Sequence, residues 1–112
     1  MEIKDLELPT VITAWMNSQN QHDSTAFAEC FDDQALVFDE GKHHRGLSEI
    51  KAWNEHTNSE YNTQNRLIHY EYTAAGAILT VMVSGDFKGS PIQLKYNLTI
   101  NNNLIAYLSI GS

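Results

Sequence analysis

The sequence predicts an α+β protein in which three N-terminal helices pack in the concavity of a curved antiparallel sheet. Three observations carry this. Apolar stripes of helical period fill the first half of the chain. Two-residue alternation replaces them from Arg66 onward. Turn residues, at Ala75-Gly76, Gly85 to Pro91 and Asn101 to Asn103, then punctuate the second half as they would a meander of strands. Helices followed by consecutive strands segregate to one face of a sheet. If that sheet curves around them, the open end of the resulting cone is a natural pocket.

The helical half reads as follows. Residues 1–7 alternate weakly and form a lead-in or the start of the first helix. Pro9 fits a first helical turn, where its missing N–H costs nothing. Val11, Ile12, Trp15, Met16 and Gln19 then share one helical stripe, which fades into the polar run Asn17 to His22. Asp23 is suited to cap a second helix, whose face is Ala26, Phe27, Cys30 and Phe31. Asp32-Asp33-Gln34 ends that helix, and Ala35 to Asp39 makes a short strand. Glu40-Gly41 and Arg45-Gly46 bracket a loop carrying His43 and His44. Ser48 is suited to cap a third helix, with Ile50, Trp53 and Thr57 on one stripe and an end between Asn58 and Tyr61.

In residues 66–75, Leu67, His69, Glu71 and Thr73 fall on one side and Ile68, Tyr70, Tyr72 and Ala74 on the other. Ala77 to Ser84 is almost continuously apolar, as a strand covered on both faces is. Ile92, Leu94, Tyr96, Leu98 and Ile100 alternate cleanly with polar residues, and Leu104 to Ile110 returns after the asparagine turn. The count is one short strand among the helices and three long consecutive strands after them.

A chain of 112 residues is read as one domain, 1–112, able to bury a core without staples. Fourteen acids against seven bases give a formal charge of −7, which excludes a phosphate backbone as partner. The single cysteine, Cys30, rules out an internal disulfide and reads as a buried core thiol. No signal-peptide pattern and no membrane-length apolar run occur, so a cytoplasmic location without membrane association is expected. No phosphate-binding glycine loop and no Cys/His ligand set occur, so neither a cofactor nor a metal is expected.

Trp15, the Asn20-x-x-Asp23 turn, Phe27, Phe31-Asp32-Asp33-x-Ala35, Val37-x-Asp39, Gly46, Ile50 and Trp53 occur in this order and spacing. Gly85-Asp86-Phe87-x-Gly89-Ser90-Pro91, Leu94-x-Tyr96 and the asparagine turn before Leu104-Ile105 follow. Together, from Pro9 to Ile110, they resemble the nuclear-transport-factor-2-like (NTF2-like) superfamily, and within it the SnoaL-like polyketide cyclase and ketosteroid isomerase group. The resemblance implies the cone-shaped fold. It does not select an activity, because the fold hosts isomerases, cyclases, dehydratases, hydrolases and non-catalytic binders. It puts Asp39 where the ketosteroid isomerases hold their general base. Trp15 stands where they hold a hydrogen-bonding tyrosine, and no Asp or Glu follows Asp86 to match their second acid, so steroid isomerisation is not implied. Pairing of sheets as a homodimer, through the polar face of Gln93, Lys95, Asn97 and Thr99, is also implied.

Asp39 is either a surface acid at a strand end or a pocket acid whose pKa is raised by burial among Phe38, Trp15 and Trp53. His43 and His44 are solvated loop residues unless one turns toward Asp39, and the sequence does not say which. His69 is a sheet histidine or a pocket wall; His22 and His56 read as solvent residues. Trp15, Phe27, Phe38, Trp53, His69, Met82 and Tyr96 are the expected ligand-binding positions, with Asp39 as the catalytic residue. Tyr96 could supply the donor that Trp15 does not. Tyr107 belongs to the sheet surface or a dimer contact.

The expected function is a small-molecule-binding domain, of isomerase or cyclase type, using Asp39 as general acid or base on an apolar carbonyl-bearing ligand. The alternative is a non-catalytic binding or dimerisation module. A third reading has the cone filled by its own side chains. A cavity of roughly 300 Å³ or more that Asp39 reaches separates the first two from the third.

Overall fold

The computed structural model describes residues 9–111; the segment 1–7 discussed above lies outside the described residues. Three helices, α1 (Thr10–Asn20), α2 (Ser24–Glu29) and α3 (Gly46–Tyr61), accompany six strands. These are β1 (Phe31–Asp39), β2 (Lys42–Arg45), β3 (Gln64–Tyr72), β4 (Gly76–Ser84), β5 (Ile92–Asn101) and β6 (Leu104–Gly111). They form one curved, open sheet in the order β2-β1-β6-β5-β4-β3. The α+β cone holds, with two amendments. Four long strands, not three, follow α3. The sheet is mixed rather than wholly antiparallel, because β1 and β6 run parallel.

The helix starts and stops follow local chemistry. The carbonyl of Pro9 accepts from the N–H groups of Ile12 and Thr13 and opens α1. The Asp23 side chain accepts from the N–H of Ala26 at 3.1 Å and caps α2. Ser48 is not the cap of α3. The helix begins two residues earlier, where Glu49 reaches back to accept the N–H of Arg45 at 2.9 Å. Asn62, with φ of 50°, ends α3 in the left-handed conformation asparagine tolerates.

The expected loop after Asp39 is a hairpin. Glu40 and Gly41 have φ of 53° and 76°, and these two residues are the whole turn. Lys42 to Arg45 return as an edge strand, paired from Asp39↔Lys42 to Leu36↔Arg45. Four polar residues carry little strand signal, which is why the sequence hides β2, but charge is what keeps an exposed edge from pairing further. The asparagine turn is of the same kind: Asn102 and Asn103 have φ of 52° and 61° and join β5 to β6.

The core lies between the helices and the inner face of the sheet. Ile12, Trp15, Phe27, Phe31, Ile50, Leu79, Val81, Ile105 and Leu108 are fully buried there. Val37, Leu79, Val81, Tyr96 and Leu98 point inward, so their neighbours Phe38, Met82, Lys95 and Asn97 point outward. In β3 the register slips between Leu67 and His69, leaving Ile68 as an extra residue. The bulge reverses the alternation. Leu67 and Tyr70 both pack on the core, and His69 faces out.

A candidate ligand cavity and its acid

The open end of the cone encloses a cavity of about 370 Å³. Asp39 lines it, which sets aside the reading in which the cone is filled. Trp15, Phe27, Trp53 and Tyr96 line it too, whereas Phe38, His69 and Met82 do not. Phe38 and Met82 occupy outward positions of β1 and β4, and the ring of Phe38 rests 4.7 Å from that of His43. His69 is exposed and pairs with Glu71 at 3.3 Å. Strand parity places all three outside; without the bulge at Ile68, His69 would be inward.

The four aromatic liners form a connected arc. Tyr96 lies 5.6 Å from Trp15, Trp15 6.0 Å from Phe27, and Phe27 5.9 Å from Trp53, centroid to centroid. His44 extends the arc, stacked on Trp53 at 5.5 Å. The β1–β2 hairpin decides between the two histidines. His44 opposes Val37, which is inward, and His43 opposes Phe38, which is outward. His44 therefore joins the cavity and His43 does not.

Both ends of the arc are coupled to Asp39. The Trp53 side chain donates a hydrogen bond to its carboxylate, and the carboxylate's charge acts on Tyr96. Burial pushes Asp39 above the ordinary carboxylate range, and the charge of Glu40 pushes the same way. The Trp53 hydrogen bond, the nearby His44 and the Glu40 N–H hold it down in part. Tyr96 is pushed far up, by burial first and then by Asp39, so its hydroxyl keeps its proton at every physiological pH. A hydrogen bond from the Asn65 side chain to the Tyr96 oxygen opposes that rise.

A second wall was missed from the sequence. Gln19, Asn54, Thr63 and Asn65 also line the cavity, and the first three are almost fully buried. Gln19 donates to Asn58 at 3.0 Å and to Thr63 at 2.9 Å, and accepts from Asn54 at 2.6 Å. Asn20 anchors Asn65 from α1, accepting its N–H at 2.7 Å and donating to its carbonyl at 2.8 Å. The available signal was a polar residue on an apolar helical stripe. Gln19 sits one turn after Trp15, and Asn54 one turn after Ile50. His22, expected in solvent, is half-buried beside this wall, with Nε2 2.7 Å from the Thr63 carbonyl. Exposed His56, Lys42 and Glu40 rim the mouth, joined by Tyr61 and Phe87.

Three helices held in an open, curved sheet with a lined cavity give the chain an NTF2-like fold. The chain is similar to a Sinorhizobium meliloti protein provisionally named a polyketide cyclase, at 28% identity and a TM-score of 0.93, over 97% of this chain and 100% of that one. It is similar in fold to a Catenulispora acidiphila protein of ketosteroid isomerase-like fold, solved with trimethylamine, at 17% identity and a TM-score of 0.83, over 94% and 86% of the two chains. An NTF2-like protein of Cytophaga hutchinsonii matches at 10% identity and a TM-score of 0.76, over 99% and 91%. No family model matches the sequence, and neither does a curated protein sequence. Among the described residues no helix is long and apolar enough to cross a membrane, and no group of three or more His, Cys, Asp or Glu could hold a metal ion.

Proposed function

We propose that the protein binds a small, largely apolar, carbonyl-bearing molecule and moves a proton on it through Asp39. One observation carries the reading: the half-buried Asp39 carboxylate lines the cavity together with Trp53, which donates to it, and the un-ionised Tyr96, on which its charge acts, and burial raises its pKa. A base is most effective when its pKa approaches the working pH, and burial moves Asp39 in that direction. Trp53 fixes the carboxylate. Tyr96 supplies the hydrogen bond on the ligand's oxygen side as charge develops there. The arc of rings takes the apolar body. Likeness to a provisionally named polyketide cyclase supports this class of ligand.

The test uses 1-tetralone, a bicyclic ketone small enough for the cavity. In deuterated buffer, wild type exchanges the protons beside the carbonyl faster than buffer alone, read by NMR. Asp39→Asn lowers that rate by about 10²- to 10⁴-fold, the usual contribution of a positioned base. Binding of the ketone without any exchange would leave the alternative, a binding module without catalysis.

The outer face of the sheet, bearing Lys95, Asn97 and Tyr107 among others, has no covering layer among the described residues, and Tyr107 is 36% exposed. We propose that a second copy covers it. Light scattering at micromolar concentration reports a dimer for wild type and a monomer for Tyr107→Lys; a monomeric wild type removes the idea.

A further inference from the structure

We infer that the mouth of the cavity is a subsite for a carboxylate, held by Lys42 of β2 and His56 of α3 with His44 beside them, so that the ligand is an apolar ring system carrying one acid group at its outer end. This rests on the ligand-binding cavity proposed above and narrows the class of molecule that enters it.

Positive charge gathers here against the trend of the chain. Fourteen acids outnumber seven lysines and arginines overall, yet Lys42-His43-His44-Arg45 is an unbroken run of cationic or protonatable residues. Strand alternation divides the run between two faces. Lys42 is opposite Asp39 and His44 opposite Val37. Directly opposed residues share a face, so Lys42 and His44 fall on the cavity side, and both line the cavity. Helix α3 adds a third group at the same place. His44 stacks on Trp53, and His56, three residues further along the helix and so next to Trp53 on its surface, also lines the cavity.

Lys42 is not neutralised from within the protein. Opposite charges directly across a hairpin are placed to pair. Lys42 nevertheless forms no ion pair with Asp39, or with Glu40 at the turn; among the described residues the one ion pair joins His69 and Glu71. Asp39 is held instead by the Trp53 side chain and the Glu40 N–H. Lys42 and His56 are exposed, and neither side chain has a hydrogen-bond partner among the described residues. An ammonium and an imidazole N–H are therefore open to a ligand, and an imidazole offers that donor whether or not it is charged.

Depth decides which end of the ligand carries the charge. Gln19, Asn54 and Thr63 wall the interior, neutral and almost fully buried. A carboxylate pressed against them would lose its water without gaining a cation, which is strongly unfavourable. At the mouth it keeps water on its outer side and meets Lys42, while the apolar body fills the interior beside Asp39. A single negative charge suits the opening. Asp39 and Glu40 line it as well, and a dianion such as a phosphate monoester would face both with one lysine to offset them.

The experiment compares 1-tetralone bearing a carboxylate at ring carbon C6, across the aromatic ring from the ketone, with the methyl ester of the same compound, which keeps the skeleton and removes the charge. Calorimetric titration gives both affinities. In low-salt buffer wild type binds the acid about five- to tenfold more tightly than the ester, as a few exposed charge contacts provide, and in about 0.5 M NaCl the preference shrinks to about twofold or less. Lys42→Gln cuts the low-salt preference to about twofold, and Lys42→Arg, which restores the charge, restores it. Lys95→Gln removes the same charge from the outer face of the sheet and leaves the preference unchanged. Asp39→Asn abolishes proton exchange on the ketone yet keeps the preference for the acid, so the base and the subsite fail separately. Exchange on 1-tetralone without a preference for the acid overturns the subsite and leaves the base standing. Binding of neither probe, a preference untouched by salt, one that survives Lys42→Gln, or one lost equally in Lys95→Gln also overturns the inference.

Discussion

The imidazole of His44 lies stacked on the indole of Trp53, 5.5 Å between centroids and 26° between planes, and the same indole side chain donates to Asp39. The first two residues come from different elements, β2 and α3, and both bear on the carboxylate at the end of β1. Trp53→Phe keeps the apolar contact and removes the donor. The Asp39 pKa then rises further, because the hydrogen bond that favoured its charged form is gone. His44→Phe keeps a ring against Trp53, removes the favourable charge interaction and moves the pKa the same way. Carbon-detected NMR titration of the Asp39 carboxylate measures both. A titration unchanged by Trp53→Phe would show that the indole does not hold the acid.

The raised pKa has a cost in stability, and its sign can be worked out. Between the ordinary carboxylate value and its own higher one, folded Asp39 holds a proton that the unfolded chain has released. Stability therefore falls as pH rises through that window and stays lower above it. Below the ordinary value the acid is neutral in both states and contributes nothing. Asp39→Asn should raise the melting temperature at neutral pH by about 1–3 °C, and this gain should vanish below about pH 3. Thermal melts of both proteins across that range give the answer. A variant less stable than wild type at neutral pH contradicts the desolvated acid.

Tyr96 is the donor whose loss should hurt turnover more than binding. It is 6% exposed, packed on Trp15, and has the Asn65 side chain donating to its oxygen. Tyr96→Phe preserves the ring and removes only the hydroxyl. Proton exchange on 1-tetralone should fall roughly 10- to 100-fold, as expected for one hydrogen bond to developing charge. The dissociation constant should change about threefold or less, since the ground-state carbonyl gains little from that bond. Equal losses in exchange and affinity would mean that Tyr96 only binds.

Much of the fold was legible because apolar periodicity survives in the sequence wherever one face is buried. The stripe of Val11, Ile12, Trp15 and Met16 and the alternation of β5 are direct imprints of the core. Lys42-His43-His44-Arg45 lacks that imprint, since an edge strand with polar side chains buries little. What reveals it is cross-strand pairing, which single-sequence reading does not see. The site divided along the same line. Asp39, Trp15, Phe27, Trp53 and Tyr96 fall on inward positions of elements whose phase was clear. Phe38 and Met82 are apolar but stand at the opposite parity to Asp39 and Val81, so they face away from the cavity. His69 depended on a one-residue bulge at Ile68 that no residue type announces. The amide wall is assembled by side chains 35 to 44 positions apart, as between Gln19 and Asn54 or Thr63. It therefore shows in the sequence only as polar residues out of place on apolar stripes.

Gly76 links the sheet's register to the integrity of the cavity. It opens β4 opposite Thr99, and a Cβ there would land against the backbone carbonyl of Leu98 and close to the N–H of Ile100. Neither atom belongs to a flexible side chain that could turn away. Both are strand backbone, and the Ile100 N–H already donates to the Ala75 carbonyl at 3.0 Å. Gly76→Ala must therefore push β4 and β5 apart at the end where Ala77 and Leu98 pair in the core. Destabilisation of about 1–3 kcal/mol is expected, the range for forced overpacking. Gly89→Ala provides the contrast: nothing lies within 4 Å of its Cβ, and only its φ of +93° resists the change. The two substitutions thus separate a steric cost from a purely conformational one. Urea unfolding of both variants checks this, with Gly76→Ala the less stable. If Gly76→Ala also loses 1-tetralone binding while Gly89→Ala keeps it, the β4–β5 pairing that holds Val83, Leu94 and Tyr96 in the cavity wall is what the ligand depends on.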